Sequence, residues 1–256
     1  MKRYLYNYQT IVTFSQPVVQ HSIILRCQPL SNTFQTIESE HLLLPPYYWL
    51  RNGTDAFGNR TVYGGATKPI SVFAYVSTGI VATQEYTERA RGENLYLYTL
   101  PSELTKFTPQ MQQCTQTSYA TNVFDKAADI CQIVNQMLSY ATNSTTVETS
   151  ATEVFANKRG VCQDYAHLMI ALCRANQIAA RYVCGFVEGT GETHAWVEVT
   201  DGFNWHGFDP THNRTELQGY VKIAHGRDSA DCPVCRGMFC GQATQQTQIS
   251  VTLQQL

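Results

Sequence analysis

Charge is scarce in this chain, at 15% of 256 residues, and neither sign predominates: 18 Lys and Arg stand against 20 Asp and Glu, a formal net charge of −2. A basic field able to attract phosphates is missing, which sets nucleic-acid binding aside. No run approaches the ~18 consecutive apolar residues a spanning helix needs, so no membrane segment is expected. The nine cysteines are an odd count, and their spacing lacks the density of a disulfide-stapled secreted domain. Met1-Lys2-Arg3-Tyr4-Leu5-Tyr6-Asn7-Tyr8 alternates polar and aromatic side chains where a secretory leader would continue into an apolar stretch. A cytoplasmic globular protein with reduced thiols is the expectation.

What is present falls into two textures. Up to about Arg91 the pattern has period two, with Tyr4, Tyr6 and Tyr8 on one face of a first strand and Ile23-Ile24-Leu25-Arg26-Cys27 suggesting a second. Turn signals recur at Pro29-Leu30-Ser31-Asn32, Pro45-Pro46, Arg51-Asn52-Gly53 and Asp55-Ala56-Phe57-Gly58-Asn59. Short strands with frequent turns read as an antiparallel β-sandwich. The polar stretch from Ser102 to Thr117 resembles a connection. Beyond it Ala120, Val123, Ala127, Ile130, Val134 and Leu138 recur at helical spacing. Ser150-Ala151-Thr152-Glu153 is a capping box that opens a second helix, which Arg159-Gly160 would close. A third helix runs from Cys162 to Ala175, and strands follow at 180–187, 193–200 and 203–209. The predicted class is α+β, with a sandwich domain over residues 1–112 and a core of helices packed on an antiparallel sheet over 113–256.

Cys162 opens its predicted helix, where unpaired backbone N–H groups and the positive end of the helix dipole favour a thiolate and can stabilise an oxyanion. A cysteine alone is more often a packing residue. The hairpin downstream changes that balance. With Asp201-Gly202 as a two-residue turn, Thr200 faces Phe203, and stepping outward brings His194 opposite Asp209. Directly opposed residues have Cβ atoms about 4.5–5.5 Å apart, close enough for a carboxylate to hold an imidazole. Period two puts Trp196 on the face of His194, as a wall of the site or as core, and leaves Ala195, Val197 and Val199 to pack inward.

The segments Arg159-Gly160-Val161-Cys162-Gln163-Asp164-Tyr165-Ala166-His167, Ala180-Arg181-Tyr182-Val183, Thr193-His194-Ala195-Trp196-Val197-Glu198 and Phe208-Asp209-Pro210-Thr211 together resemble the bacterial transglutaminase-like family of cysteine-protease-like proteins. The resemblance spans Ala151 to Asn213 and is weaker over the first half. It implies a papain-like core preceded by a β-sandwich, with Cys162, His194 and Asp209 as catalytic triad and Gln163 and Asp164 on the active-site helix. Tyr165 is a candidate lining residue and Asp164 a candidate support. Gln177-Ile178-Ala179 departs from the Gly-Ile-Pro common in similar sequences, as do the tail cysteines Cys232, Cys235 and Cys240. A structural zinc needs four ligands and no second pair is suitably spaced, so no metal and no cofactor are expected. Arg181 in a buried strand requires a carboxylate, with Asp164 or Asp228 as candidates. His206, His212 and His225 are expected at the surface or in packing.

Such a triad forms a thioester from an amide or ester, resolved by water or by an amine. The expected substrate is a peptide, protein or other amide, and the expected outcome is hydrolysis. Transamidation by the same triad and a non-catalytic peptide-binding or scaffold module are the alternatives. Oligomeric state is left open.

Overall fold

The structure is a computed structural model in which residues 1–90, 92, 94–115 and 120–256 are described. Five strands come first, β1 (Lys2–Leu25), β2 (Gln35–Leu43), β3 (Trp49–Thr54), β4 (Arg60–Ala66) and β5 (Ile70–Thr83), followed by the short β6 (Thr87–Arg89). Then come α1 (Pro109–Gln113), α2 (Val123–Met137), β7 (Ser139–Tyr140), α3 (Ala151–Asn157), β8 (Arg159–Gly160) and α4 (Cys162–Ala175). The chain ends in β9 (Ala180–Val187), β10 (Gly189–Gly191), β11 (His194–Thr200), β12 (Asn204–Phe208), β13 (Tyr220–Gly226), β14 (Cys235–Cys240) and β15 (Gln245–Gln255). The mixed, largely antiparallel architecture matches the α+β expectation. The connection expected over 102–117 contains α1, and its last two residues lie outside the described ones.

The two N-terminal strands expected from the sequence are one ribbon. The alternation of Tyr4, Tyr6 and Tyr8, all fully buried, gives one face of β1 to the core. Its register against β5 shifts between Thr13 and Val18, the stretch containing Pro17, whose missing N–H cannot serve a ladder. The first leg pairs with β5 and β15 and the second with β4 and β14. The ribbon thereby curls, and C-terminal strands complete the N-terminal eight-stranded sheet.

The second sheet runs β13-β9-β11-β12-β6. One face receives α4, from which Asp164 to Ala175 are all buried, against Ala195, Val197 and Val199 as predicted from their period. The stop of α4 explains the Gln177 departure, since Gln177 takes the left-handed conformation at φ 58° that glycine occupies more cheaply. Lys158, at φ 56°, similarly ends α3 where Arg159-Gly160 was expected to close it. The Ser150–Glu153 capping box forms as read. Tyr6 and Tyr8 stack on Phe186 of β9, with ring centroids 5.6 and 5.5 Å apart, joining the two sheets.

The hairpin register differs from the expected one. Thr200 pairs with Trp205 and Val197 with Phe208, so the turn centres on Gly202-Phe203. Gly202 supplies the positive φ, 98°, and Asp201 accepts N–H bonds from Phe203 and Asn204, a side-chain turn that competes with the Asp-Gly alternative. Asp209 therefore lies across from Trp196, and His194 pairs with Gly185 of β9 instead. A shift by an even number of positions keeps each side chain on its face, so Asp209 still reaches His194, along the diagonal.

Candidate functional site

Cys162 begins α4 behind Val161, an extended residue that provides no side-chain cap. Asp164 instead reaches back: its Oδ2 accepts the Val161 N–H at 2.7 Å and the Thr145 hydroxyl at 2.6 Å. The approach is close, because a Cβ on Gly160 would stand 2.5 Å from the Asp164 side chain. The first-turn N–H groups of Cys162 and Gln163 have no helical acceptor and remain available to an incoming oxygen.

His194, at the start of β11, presents Nε2 to Asp209 Oδ2 at 2.8 Å and interacts electrostatically with Cys162 at the start of α4. With Nε2 on the carboxylate, Nδ1 is the nitrogen left for the thiol. The imidazole is 12% exposed. Burial pushes its pKa down, but the bond to Asp209 and the interaction with Cys162 outweigh burial and hold it up at about 9. Burial acts on Asp209 in the opposite sense to its partners. Bonds from His194 and His212 prevail and keep the carboxyl well below its usual range. Trp196, fully buried, lies 6.3 Å from the His194 ring at 22° and donates its indole N–H to Tyr86 at 2.8 Å. It is both core and the wall beneath the imidazole.

The remaining sequence candidates separate. Gln163 borders a cleft of about 900 Å³ between the two sheets, together with Thr193, Tyr182, Cys184, Tyr8 and Phe73. Tyr165 does not line it; the ring is buried and its hydroxyl donates to the Leu138 carbonyl at 2.9 Å. Arg181 pairs with Glu198 at 2.6 Å and with Glu88 at 3.3 Å, not with Asp164 or Asp228. Glu198 sits directly opposite it on β11. Burial would raise Glu198, but Arg181 and Lys222 bring it down to about 2. Cys232 is buried near the Asp228 carbonyl, whereas Cys240 is exposed beside Gln20.

His212 was not expected in the site. Its Nδ1 lies 2.7 Å from the Asp209 oxygen that binds His194, and the Tyr220 hydroxyl donates to the same oxygen at 2.6 Å. Asp209 Oδ1 accepts the Thr211 and His212 N–H groups, while the Asp209 and Arg214 backbones exchange both bonds. The loop is thus folded back over its own carboxylate. The turn-forming tendency of Asp209-Pro210 was legible and could have located the histidine three positions on. His194, Asp209 and His212 offer donor atoms within 4.8 Å of one another, a set able to ligate a metal, and their mutual hydrogen bonds already satisfy them.

Two family models match: the bacterial transglutaminase-like N-terminal region over residues 4–82 and the transglutaminase-like superfamily core over 110–210. Uncharacterized proteins of Mycobacterium tuberculosis and Mycobacterium bovis are each 31% identical over 227 residues, covering 72% of this chain and 70% of theirs. The chain belongs to the transglutaminase-like superfamily. Among solved structures, the transglutaminase-like chain is similar to "a Putative Cysteine Protease from Cytophaga hutchinsonii", at 28% identity and a TM-score of 0.83, over 100% of this chain and 92% of that one. The superfamily core model encloses Cys162, His194 and Asp209.

Proposed function

We propose that the chain is a thiol acyl-transfer enzyme whose nucleophile is Cys162, with His194 as base and Asp209 as the carboxylate that orients it. The observation that carries this reading is one imidazole with Nε2 on a buried carboxylate and its charge coupled to a thiol at a helix start. Proton transfer from Cys162 to His194 gives a thiolate–imidazolium pair. The thiolate attacks the acyl carbon, and the N–H groups of Cys162 and Gln163 receive the negative charge that develops on oxygen. The carbon–nitrogen bond then breaks, and the imidazolium gives its proton to the departing amine. Water, deprotonated by His194, releases the acid from the thioester and restores the thiol.

Hydrolysis of a peptide or other amide is the favoured outcome, and the description of the similar Cytophaga protein as a "Putative Cysteine Protease" is in keeping with it. An amine entering in place of water would give transamidation through the same thioester. We also propose the division into a sandwich domain, 1–112, whose sheet β10, β14 and β15 complete, and a catalytic core, 113–256, whose sheet takes in β6, and a reducing, cytoplasmic setting suited to a chain with nine cysteines. None of the described helices is long and apolar enough to cross a membrane. The test is capture of an acyl group on Cys162: purified protein is mixed with a peptide and amide library, and thioesters are sought by mass in the parent chain and in Cys162→Ala. An adduct lost in the variant and cleared by water supports hydrolysis. Clearance only by added amines would replace it with transamidation, and no adduct would favour a non-catalytic module.

A further inference from the structure

We infer that His212 is a positioning residue of the thiol site, a second imidazole that shares the Asp209 carboxylate with His194 and sets how strongly that carboxylate holds the catalytic ring. The inference rests on the reading of His194 as base. Its geometric basis is that Asp209 Oδ2 accepts from three side chains at once, His194 at 2.8 Å, His212 at 2.7 Å and Tyr220 at 2.6 Å. The carboxylate is fully buried and ionised, so all three partners must donate, which assigns Nδ1–H to His212 and Nε2–H to His194. A single oxygen has two lone pairs, and a third donor is accommodated by weakening the others. His212 therefore draws off part of the charge that Asp209 would otherwise direct at His194.

The backbone makes the arrangement specific to this position. The exchange of bonds between Asp209 and Arg214 closes the loop, and Asp209 Oδ1 is bound by the N–H of His212 itself at 3.3 Å. The same residue thus holds both carboxylate oxygens, one through the main chain and one through the ring. The two imidazoles lie 5.1 Å apart, centroid to centroid, at 39°. Unlike His194, His212 is 47% exposed, so its ring is open to solvent while its partner is shielded. Ionisable groups from several elements act on the pair: the Cys162 thiol of α4 on His194, the Cys131 thiol of α2 against Asp209, and the Tyr220 hydroxyl of β13, which donates to Asp209.

Two substitutions separate donation from bulk. His212→Leu removes the donor and keeps a side chain of comparable size; His212→Asn restores an N–H near the position of Nδ1. The direct readout is the titration of the His194 ring by nitrogen NMR in the full chain, which does not depend on turnover. Losing a donor concentrates carboxylate charge on His194, so its midpoint should rise by about half to one pH unit in His212→Leu and return in His212→Asn. With p-nitrophenyl acetate as acyl probe, a higher His194 midpoint leaves less neutral imidazole to deprotonate water, so His212→Leu should lower kcat about three- to tenfold at unchanged KM, and His212→Asn should recover most of it. An unmoved His194 midpoint in His212→Leu would overturn the inference, as would His212→Asn behaving like His212→Leu. If the midpoints move as stated but the parent chain forms no acetyl-enzyme, the carboxylate sharing stands and the enzyme reading fails.

Discussion

Replacing Asp209 with Asn removes the charge on which the ring's protonation depends while keeping the side chain's size. His194 is held at about 9 against an ordinary 6.5, and the difference of about 2.5 units corresponds to about 3 kcal/mol at 1.36 kcal/mol per unit. Without the carboxylate, burial remains and the ring should titrate at or below its ordinary value. At pH 7 the imidazolium form of His194 then loses most of its population. Iodoacetamide alkylation of Cys162, followed from pH 5 to 10, reads this directly. Asp209→Asn should be slower than the parent by about one to two orders of magnitude at pH 6–7. The stability consequence has a defined sign. A folded-state value raised above the unfolded one makes the His194 contribution complete below pH 6.5 and lost as pH rises through about 9. Asp209, held low, contributes above its ordinary range and loses that contribution as pH falls. The two describe one ion pair and are not summed. The difference in Tm between parent and Asp209→Asn should accordingly be largest near pH 5–6.5 and shrink toward pH 9–10. Equal alkylation rates at pH 6–7, within twofold, would refute the role given to Asp209.

Glu198→Gln should cost about 3–5 kcal/mol in urea unfolding, because Arg181 and Lys222, both buried, would lose the carboxylate that pairs with them at 2.6 and 2.7 Å; a loss under 1 kcal/mol would contradict that. Gly160→Ala should displace Asp164 from the start of α4, since the new Cβ would lie 2.5 Å from it. A destabilisation of about 1–3 kcal/mol with slower Cys162 alkylation is expected, against no change if α4 is anchored elsewhere. Gly202→Ala should cost about 1–2 kcal/mol, because an L side chain is forced to φ 98°; a neutral effect would contradict the positive φ at Gly202.

Much of the site was legible because its signals are local. The start of α4 at Cys162, the buried alternation of Tyr4, Tyr6 and Tyr8, and the inward set Ala195, Val197 and Val199 all follow from period and capping within a few residues. The His194–Asp209 contact was expected for a reason that proved wrong in register and right in face. Asp201 formed a side-chain turn that displaced the hairpin, and an even shift leaves facing unchanged. The Arg181–Glu198 pair was missed because it depends on how β9 and β11 align, and the link between them carries no tight-turn signal. Glu88 arrives from β6, far away in sequence, which no local pattern announces. His212 was missed because it was weighed as an isolated histidine, whereas the bonds between Asp209 and Arg214 fold it back onto the carboxylate.

The most direct measurement is the intact mass of the full chain after brief exposure to p-nitrophenyl acetate at pH 7, in the parent, Cys162→Ala and His194→Ala proteins. Acyl transfer through the Cys162–His194 pair predicts one acetyl group on the parent, mapped to Cys162 and released by hydroxylamine, absent from Cys162→Ala and formed far more slowly in His194→Ala. Acetylation spread over several residues, or unaffected by His194→Ala, would contradict it.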